Sequence, residues 1–278
     1  MKKIRRLKCI KVVSEISIVL GAILALASGI LLFLTSSHFI YLASGFFAGI
    51  TLIIIGGALF TTLRNTVYTK LIPSYFNGDI DNITFTPFHG ISAYQVNMAE
   101  HLKDPDSFTS QNLFTGSLHH YPFIISHVTL KQIIDQQSKR TKAYFKGPMV
   151  IFDINHSFMM HTHVLSDGKP RMFKNYQSID LIHGTLHDAF TVYTNEPHKV
   201  NHLLTTYMIE TINQLHDKHP RLNISFLDKH LIITMNDNVD AFSMNLFKRS
   251  HLHRLETLKK DLAILKSLVL ATDMYLKS

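Results

Sequence analysis

Cysteine is all but missing from this 278-residue chain, where Cys9 stands alone. That excludes an intrachain disulfide, a cysteine-based zinc site and a CxxC redox pair. Cys9 itself lies beside the first apolar segment, where lipidation is open to it in a suitable host but an unmodified interfacial thiol is the expected state. Equally absent are the GxSxG elbow, the phosphate-cradling P-loop and the dinucleotide-binding GxGxxG, which removes the commonest enzyme templates. No internal repeat or low-complexity tract is present. Strands do not alternate regularly with helices, which disfavours a doubly wound parallel sheet.

Charge is missing from two long stretches near the N-terminus. Ile16 to Leu34 is a 19-residue run whose only hydroxyls are two serines, and Phe39 to Phe60 is a 22-residue run with no charge. As helices they reach roughly 28 and 33 Å, which matches a hydrocarbon core of about 30 Å. Thr35, Ser36, Ser37 and His38 between them suffice only for a tight interfacial turn, so the pair reads as a transmembrane hairpin. Gly21, Ala25 and Gly29 on the first helix, with Gly45 and Gly49 on the second, are small residues at a spacing of four that allow close helix packing.

A cleaved signal peptide is the competing reading, because a basic segment precedes the run and Ala25-Leu26-Ala27 resembles a cleavage site. The apolar run continues past that site to Leu34, too far for a signal peptide. Lys2, Lys3, Arg5, Arg6, Lys8 and Lys11 precede the first span, Arg64 and Lys70 follow the second, and the connecting turn has no Lys or Arg. By the positive-inside rule both termini are expected in the cytoplasm, with the protein integral to a membrane, a bacterial inner membrane.

The same residues account for most of the net charge of +8. Residues 1–64 hold seven Lys/Arg against Glu15, giving +6; residues 65–278 hold 21 against 19 acids, giving +2. A nucleic-acid-binding domain carries its own basic excess, so nucleic acid is not an expected partner. Membrane lipid and a protein partner are.

The expected organisation is a basic N-terminus (1–11), a helical hairpin (12–63, helices 12–34 and 39–63), a linker with short helical or extended pieces (64–89), and an α+β domain (90–278). That domain is expected to be a mixed, mainly antiparallel sheet packed with helices. Tyr121 to Leu130, Tyr144 to Ile154, Phe158 to Leu165 and Phe190 to Tyr193 read as strands. A helix capped by Asn195 runs to just before Pro220, with Val200, Leu203, Leu204, Tyr207, Met208, Ile212 and Leu215 on one face. Ile224 to Phe226 and Leu231 to Met235 flank Asp228-Lys229 as a hairpin. A final helix, Met244 to Tyr275, carries Leu255, Leu258, Leu262, Leu265 and Val269 toward the sheet.

Several segments resemble a known family. "GIS" at 90–92, "SFTSQNLF" at 107–114, "FKGPMVIFDINHSF" at 145–158, "FTVYTNEPHKVNHLLT" at 190–205 and "ISFLDKHLIITM" at 224–235 occur in the order found in the bacterial family catalogued as domain of unknown function 3137. The resemblance covers most of 75–245 and implies its fold, including an N-terminal membrane hairpin. It carries over no catalytic residue. Around Ser117 to His120 this chain looks shorter than its relatives, which have a longer Gly-containing connection.

What is abundant is histidine, with 18 residues. His183 and His187, and His198 and His202, have helical i,i+4 spacing, and His161 and His163 alternate onto one strand face. Zinc needs three or four converging donors, so His161, His163, His183 and His187 are incomplete metal candidates and no cofactor is expected. Protonating the 17 histidines of 65–278 would take that region from +2 to +19, an acid response open to it. Asp153 with Asn155 and His156 is the nearest approach to an acid/base pair, but those residue types after a strand make turns. The residues favour a membrane-anchored binding or scaffold module; the alternative is a histidine-dependent metal-binding protein or membrane enzyme, using zinc or another divalent metal.

Overall fold

Proline first occurs at position 73, so nothing in the apolar N-terminal region interrupts helical hydrogen bonding. The computed structural model describes residues 2–34, 39–135, 137–171, 173–179, 186–238, 240, 242, 247 and 252–277. Two long helices, α1 (Lys2–Leu34) and α2 (Phe39–Thr66), fill the N-terminal region. A π-helical turn over Val67–Leu71 and a short α3 (Ile72–Phe76) follow. Contacts divide the chain into two units, residues 1–72 with 244–252, and residues 73–243 with 253–278.

In the first unit α1 and α2 meet through small residues. A Cβ added at Gly49 would lie 2.6 Å from the Ala25 nitrogen and 2.7 Å from the Gly21 carbonyl oxygen. The buried Ser14 hydroxyl donates to the Gly56 carbonyl at 2.6 Å. The outer faces are apolar and open, with Leu26 67%, Phe33 95% and Ile40 79% exposed. Both helices are long and apolar enough to cross a membrane.

The second unit is α+β. Its strands are β1 (Asp81–Thr86), β2 (Ser107–Leu118), β3 (Tyr121–Asp135), β4 (Arg140–Asp153), β5 (Thr162–Leu165), β6 (Gln177–Ile179), β7 (Thr191–Thr194), β8 (Leu222–Leu227) and β9 (His230–Met235). They form a nine-stranded sheet in the order β1-β2-β3-β4-β9-β8-β5-β7-β6, with antiparallel neighbours throughout. The helices are α4 (Ala93–Asn97), α5 (Val200–Leu203), α6 (Thr206–His216) and α7 (Leu252–Lys277). Hairpin turns form without glycine. His119 and His120 both take positive φ between Leu118 and Tyr121, and Asp228 does so between β8 and β9.

Cross-strand rows sort the core. Ile124, Ile151 and Ile232 lie in register on one face of the sheet, against Ile91, Val96, Ala99 and Leu102 from the α4 region. Phe123, Phe152, Leu231 and Phe226 are in register on the other. There Phe76, Phe114, Phe123 and Phe152 form a run of ring contacts at 5.2, 6.0 and 5.5 Å. The expected stripe of α7 is buried, and the Tyr121 hydroxyl ties that helix to the sheet by donating to Asp273 at 2.6 Å.

Several elements differ from expectation, β2 and β6 among them, neither of which is expected as a strand. The strand expected over 158–165 begins only at Thr162, because the Ile154 and Phe158 N–H groups donate to Lys229 and Asp228 and wrap that segment around the β8–β9 turn. The single helix expected from Asn195 is two. Asn195 instead accepts from the His161 N–H, Leu204 leaves helical geometry, and the Thr205 hydroxyl caps α6 by accepting from Met208. Within 64–89, Asp81–Thr86 pairs with β2 as an edge strand. The last helix starts at Leu252 among the described residues; 243–246 and 248–251 lie outside them.

Candidate functional site

On the sheet face that carries Ile151 and Ile232, the apolar row turns polar: Ile232 is followed in register by Ser225 on β8 and His163 on β5. Ser225 and His163 are both fully buried. Above them the loop after α4 inserts His101. Its Nδ1 lies 3.0 Å from the Ser225 hydroxyl and its Nε2 2.7 Å from that of Thr234. His163 Nδ1 lies 2.8 Å from Ser225. Its Nε2 makes no hydrogen bond and faces Glu100 Oε2 at 3.8 Å, beyond hydrogen-bonding distance. Glu100 accepts instead from the Tyr176 hydroxyl at 2.8 Å, and the Tyr176 ring meets His163 edge-on.

The partners impose a direction on this chain of groups. A carboxylate facing His163 Nε2 favours a proton there, which leaves Nδ1 to accept from Ser225. Ser225 has one proton to give, so it accepts from His101 Nδ1, and His101 Nε2 accepts from Thr234. Each ring thereby holds one tautomer and is neutral. Burial, with His163 and Arg171 nearby, lowers the His101 pKa to about 3. Burial, helped by His161, lowers that of His163 to about 4.

The segment carrying His101 is strapped down from outside. Arg171 donates to Asp104 and to the Asn97 carbonyl, its own N–H donates to the Glu100 carbonyl at 2.8 Å, and Tyr144 donates to the Lys103 carbonyl. Ser225, His163 and Glu100 are the residue types of a nucleophile, base and orienter. Ser225 and His163 are fully buried, and the network's hydrogen bonds tie the α4 region to the sheet.

A second cluster is charged. After α6, His219 sits between Asp237 at 3.1 Å and Asp261 of α7 at 3.2 Å, with Lys218 3.4 Å from Asp261. Burial pulls the His219 pKa down, but the two carboxylates outweigh it and raise it to about 9. The imidazolium therefore ties β9's exit to α7.

Among the described residues, His161, His163 and His187 belong to no metal-ligand group. His161 pairs with Asp228 at 3.0 Å while His163 belongs to the Ser225 network. His187 packs its ring 4.3 Å from that of His216, and His183 lies outside the described residues. Among the described residues no group of three or more His, Cys, Asp or Glu has metal-binding geometry. Asp153 is exposed at the end of β4, in register with His230. Both border an open cleft of about 590 Å³ floored by Ile124 and Ile151 and rimmed by Tyr94, Gln95 and Met98 of the α4 region. In the other unit Gly21, Ala25, Gly29, Gly45 and Gly49 line the α1–α2 contact.

Fold and network describe an α+β sheet domain, preceded by two long apolar helices, whose buried polar centre is a structural lock. Residues 143–273, from β4 through most of α7, match the family described as "Protein of unknown function (DUF3137)". That supports the resemblance carried by the 145–158, 190–205 and 224–235 segments. No curated protein matches the chain significantly. A looser likeness, with a TM-score of 0.44 at 8% identity over 75% of this chain and 93% of the other, is to the crystal structure of the mycobacterial trehalose monomycolate transport factor A, TtfA.

Proposed function

We propose that this protein is a membrane-anchored binding or scaffold module, held in a bilayer by α1 and α2 and presenting the sheet domain to a protein partner in the cytoplasm. The observation that carries the reading is the outward exposure of large apolar side chains along both helices, Leu26, Ile30, Phe33, Ile40, Phe47 and Ile54 among them. Water penalises such a surface by about 25 cal/mol for each Å², whereas lipid tails accept it, and the backbone of two helices is internally satisfied as a bilayer requires. The basic residues Arg6, Lys8 and Lys11 before the first span, with Arg64 after the second, support both chain ends lying inside.

A binding role is supported by what the polar groups do. The buried hydroxyls and imidazoles hold one another, while the cleft beside Tyr94 and Met98 remains open with an apolar floor and a polar rim. Alkaline carbonate extraction of membranes containing the full chain tests the anchor. Retention in the pellet is expected; release into the supernatant contradicts it.

A further inference from the structure

The β3–β4 hairpin outruns its neighbours. The last rung of β2 on β3 is Ser107 with Lys131, and the β4–β9 ladder stops at Met149, beyond which the Asn238 N–H donates to the Lys146 carbonyl and the Asn236 side chain accepts from the Lys146 N–H and donates to the Tyr144 carbonyl. Beyond those points β3 and β4 continue as a two-stranded ribbon, through Lys131–Ala143, Gln132–Lys142, Ile133–Thr141 and Asp135–Arg140. Ile133 and Ile134 are 44% and 54% exposed there. The register shifts between Ile133 and Asp135, so Ile134 stands in a bulged stretch beside Ile133.

The ribbon is also basic, as 169–174 and 248–260 are elsewhere in the domain. Residues 131–143 carry Lys131, Lys139, Arg140 and Lys142 against Asp135, a net +3. Residues 65–278 total +2, so everything else in that region sums to −1. No ion pair among the described residues engages Lys131, Lys139, Arg140 or Lys142. Asp135 is occupied in the turn, accepting from the Gln137 N–H at 2.9 Å and the Ser138 hydroxyl at 2.5 Å.

On the β3 edge the Ile133 N–H donates to the Asp106 carboxylate at 2.7 Å, but the isoleucine side chains stay exposed, a liability in water unless something covers them. We infer that the β3–β4 ribbon docks on an anionic membrane surface, its basic side chains on lipid phosphates and its isoleucines at the headgroup–acyl boundary. Apolar tips ringed by Lys and Arg match that interface, whereas an acidic protein or nucleic acid would use the charge and leave the isoleucines wet. The inference rests on the bilayer anchoring proposed above and gives the domain a second membrane contact.

The test uses the full chain with Cys9→Ser and Gln137→Cys, labelled with the environment-sensitive fluorophore NBD, in nanodiscs of phosphatidylcholine alone or with an equal part of phosphatidylglycerol. Co-elution of protein with disc reports the anchor separately from the ribbon. The expected result is a blue-shifted emission, quenched by brominated lipid, in the anionic discs only. It should be lost in high salt, with Lys139→Glu/Arg140→Glu/Lys142→Glu, and with Ile133→Ser/Ile134→Ser, while a label at Asp188→Cys stays aqueous throughout. Co-elution with an aqueous signal at position 137 in both lipids overturns the ribbon contact and leaves the anchor standing, as does a shift seen only when an acidic protein is added. An equal shift in both lipids overturns the recognition of anionic headgroups. Failure to co-elute refutes the anchor and, with it, this inference.

Discussion

Ser225 has the most exacting position in the sheet domain, because one hydroxyl serves two imidazoles. Ser225→Ala leaves two buried ring nitrogens without partners and is expected to destabilise the domain by about 2–4 kcal/mol, read from urea unfolding of the purified chain. Gly147 is constrained differently. An added Cβ would overlap the Met235 carbonyl, so Gly147→Ala should cost roughly 1–3 kcal/mol, measurable as a lowered Tm. The titratable residues predict the shape of stability against pH. His101 and His163, at about 3 and 4 when folded against an ordinary 6.5, contribute stability that is complete above about pH 6.5 and lost as pH falls through those values. His219, at about 9, contributes stability that is complete below about pH 6.5 and lost as pH rises through 9. Stability should therefore peak near pH 6.5, and His219→Gln should flatten the alkaline fall while leaving the acidic one. A profile that keeps its alkaline fall in His219→Gln would remove the imidazolium from the account.

Among the elements, the helix pair and the β8–β9 hairpin were legible because their signals are local: long uncharged runs, and two β-branched stretches around Asp228-Lys229. β1, β2 and β6 were not: β1 and β6 are short strands that owe their pairing to other segments, and β2 carries Thr109, Ser110, Gln111 and Asn112 in its first half, which hide the apolar alternation of a strand. The helix expected from Asn195 starts later, with Asn195 recruited to the His161 backbone, a tertiary contact that no capping rule contains, and it breaks at Leu204, after which Thr205 caps α6. The buried network was missed for a related reason, although a trace of it is visible. Asn223, Ser225 and Thr234 interrupt otherwise apolar strands at alternating positions, which marks a polar stripe on one face. Helical histidine spacing drew attention elsewhere, and His101, which closes the network, has no local signature. Two element-level expectations follow. Thr205→Ala should cost about 1 kcal/mol through loss of the α6 cap. Gly49→Leu should separate α1 from α2, where an added Cβ already meets the Ala25 and Gly21 backbones, and should lower the thermal stability of the chain in detergent.

The full chain joins two kinds of surface. The N-terminal helices turn apolar side chains outward, and the sheet domain buries its apolar rows and much of its histidine chemistry while leaving a cleft and a basic ribbon open. The first property was plain in composition, since hydropathy needs no tertiary information. The second depends on register, which decides whether a serine or histidine faces solvent or core. Anchoring in a bilayer with both ends inside is the claim on which the proposed role depends. The most direct measurement is labelling of intact cells with an impermeant thiol reagent, using Ser37→Cys or Ser278→Cys in a Cys9→Ser background. Reaction at position 37 from outside, and at 278 only after lysis, is the predicted result. Labelling of 278 with protection of 37, or a mature chain that starts at Ser28 and stays out of the membrane fraction, would contradict it.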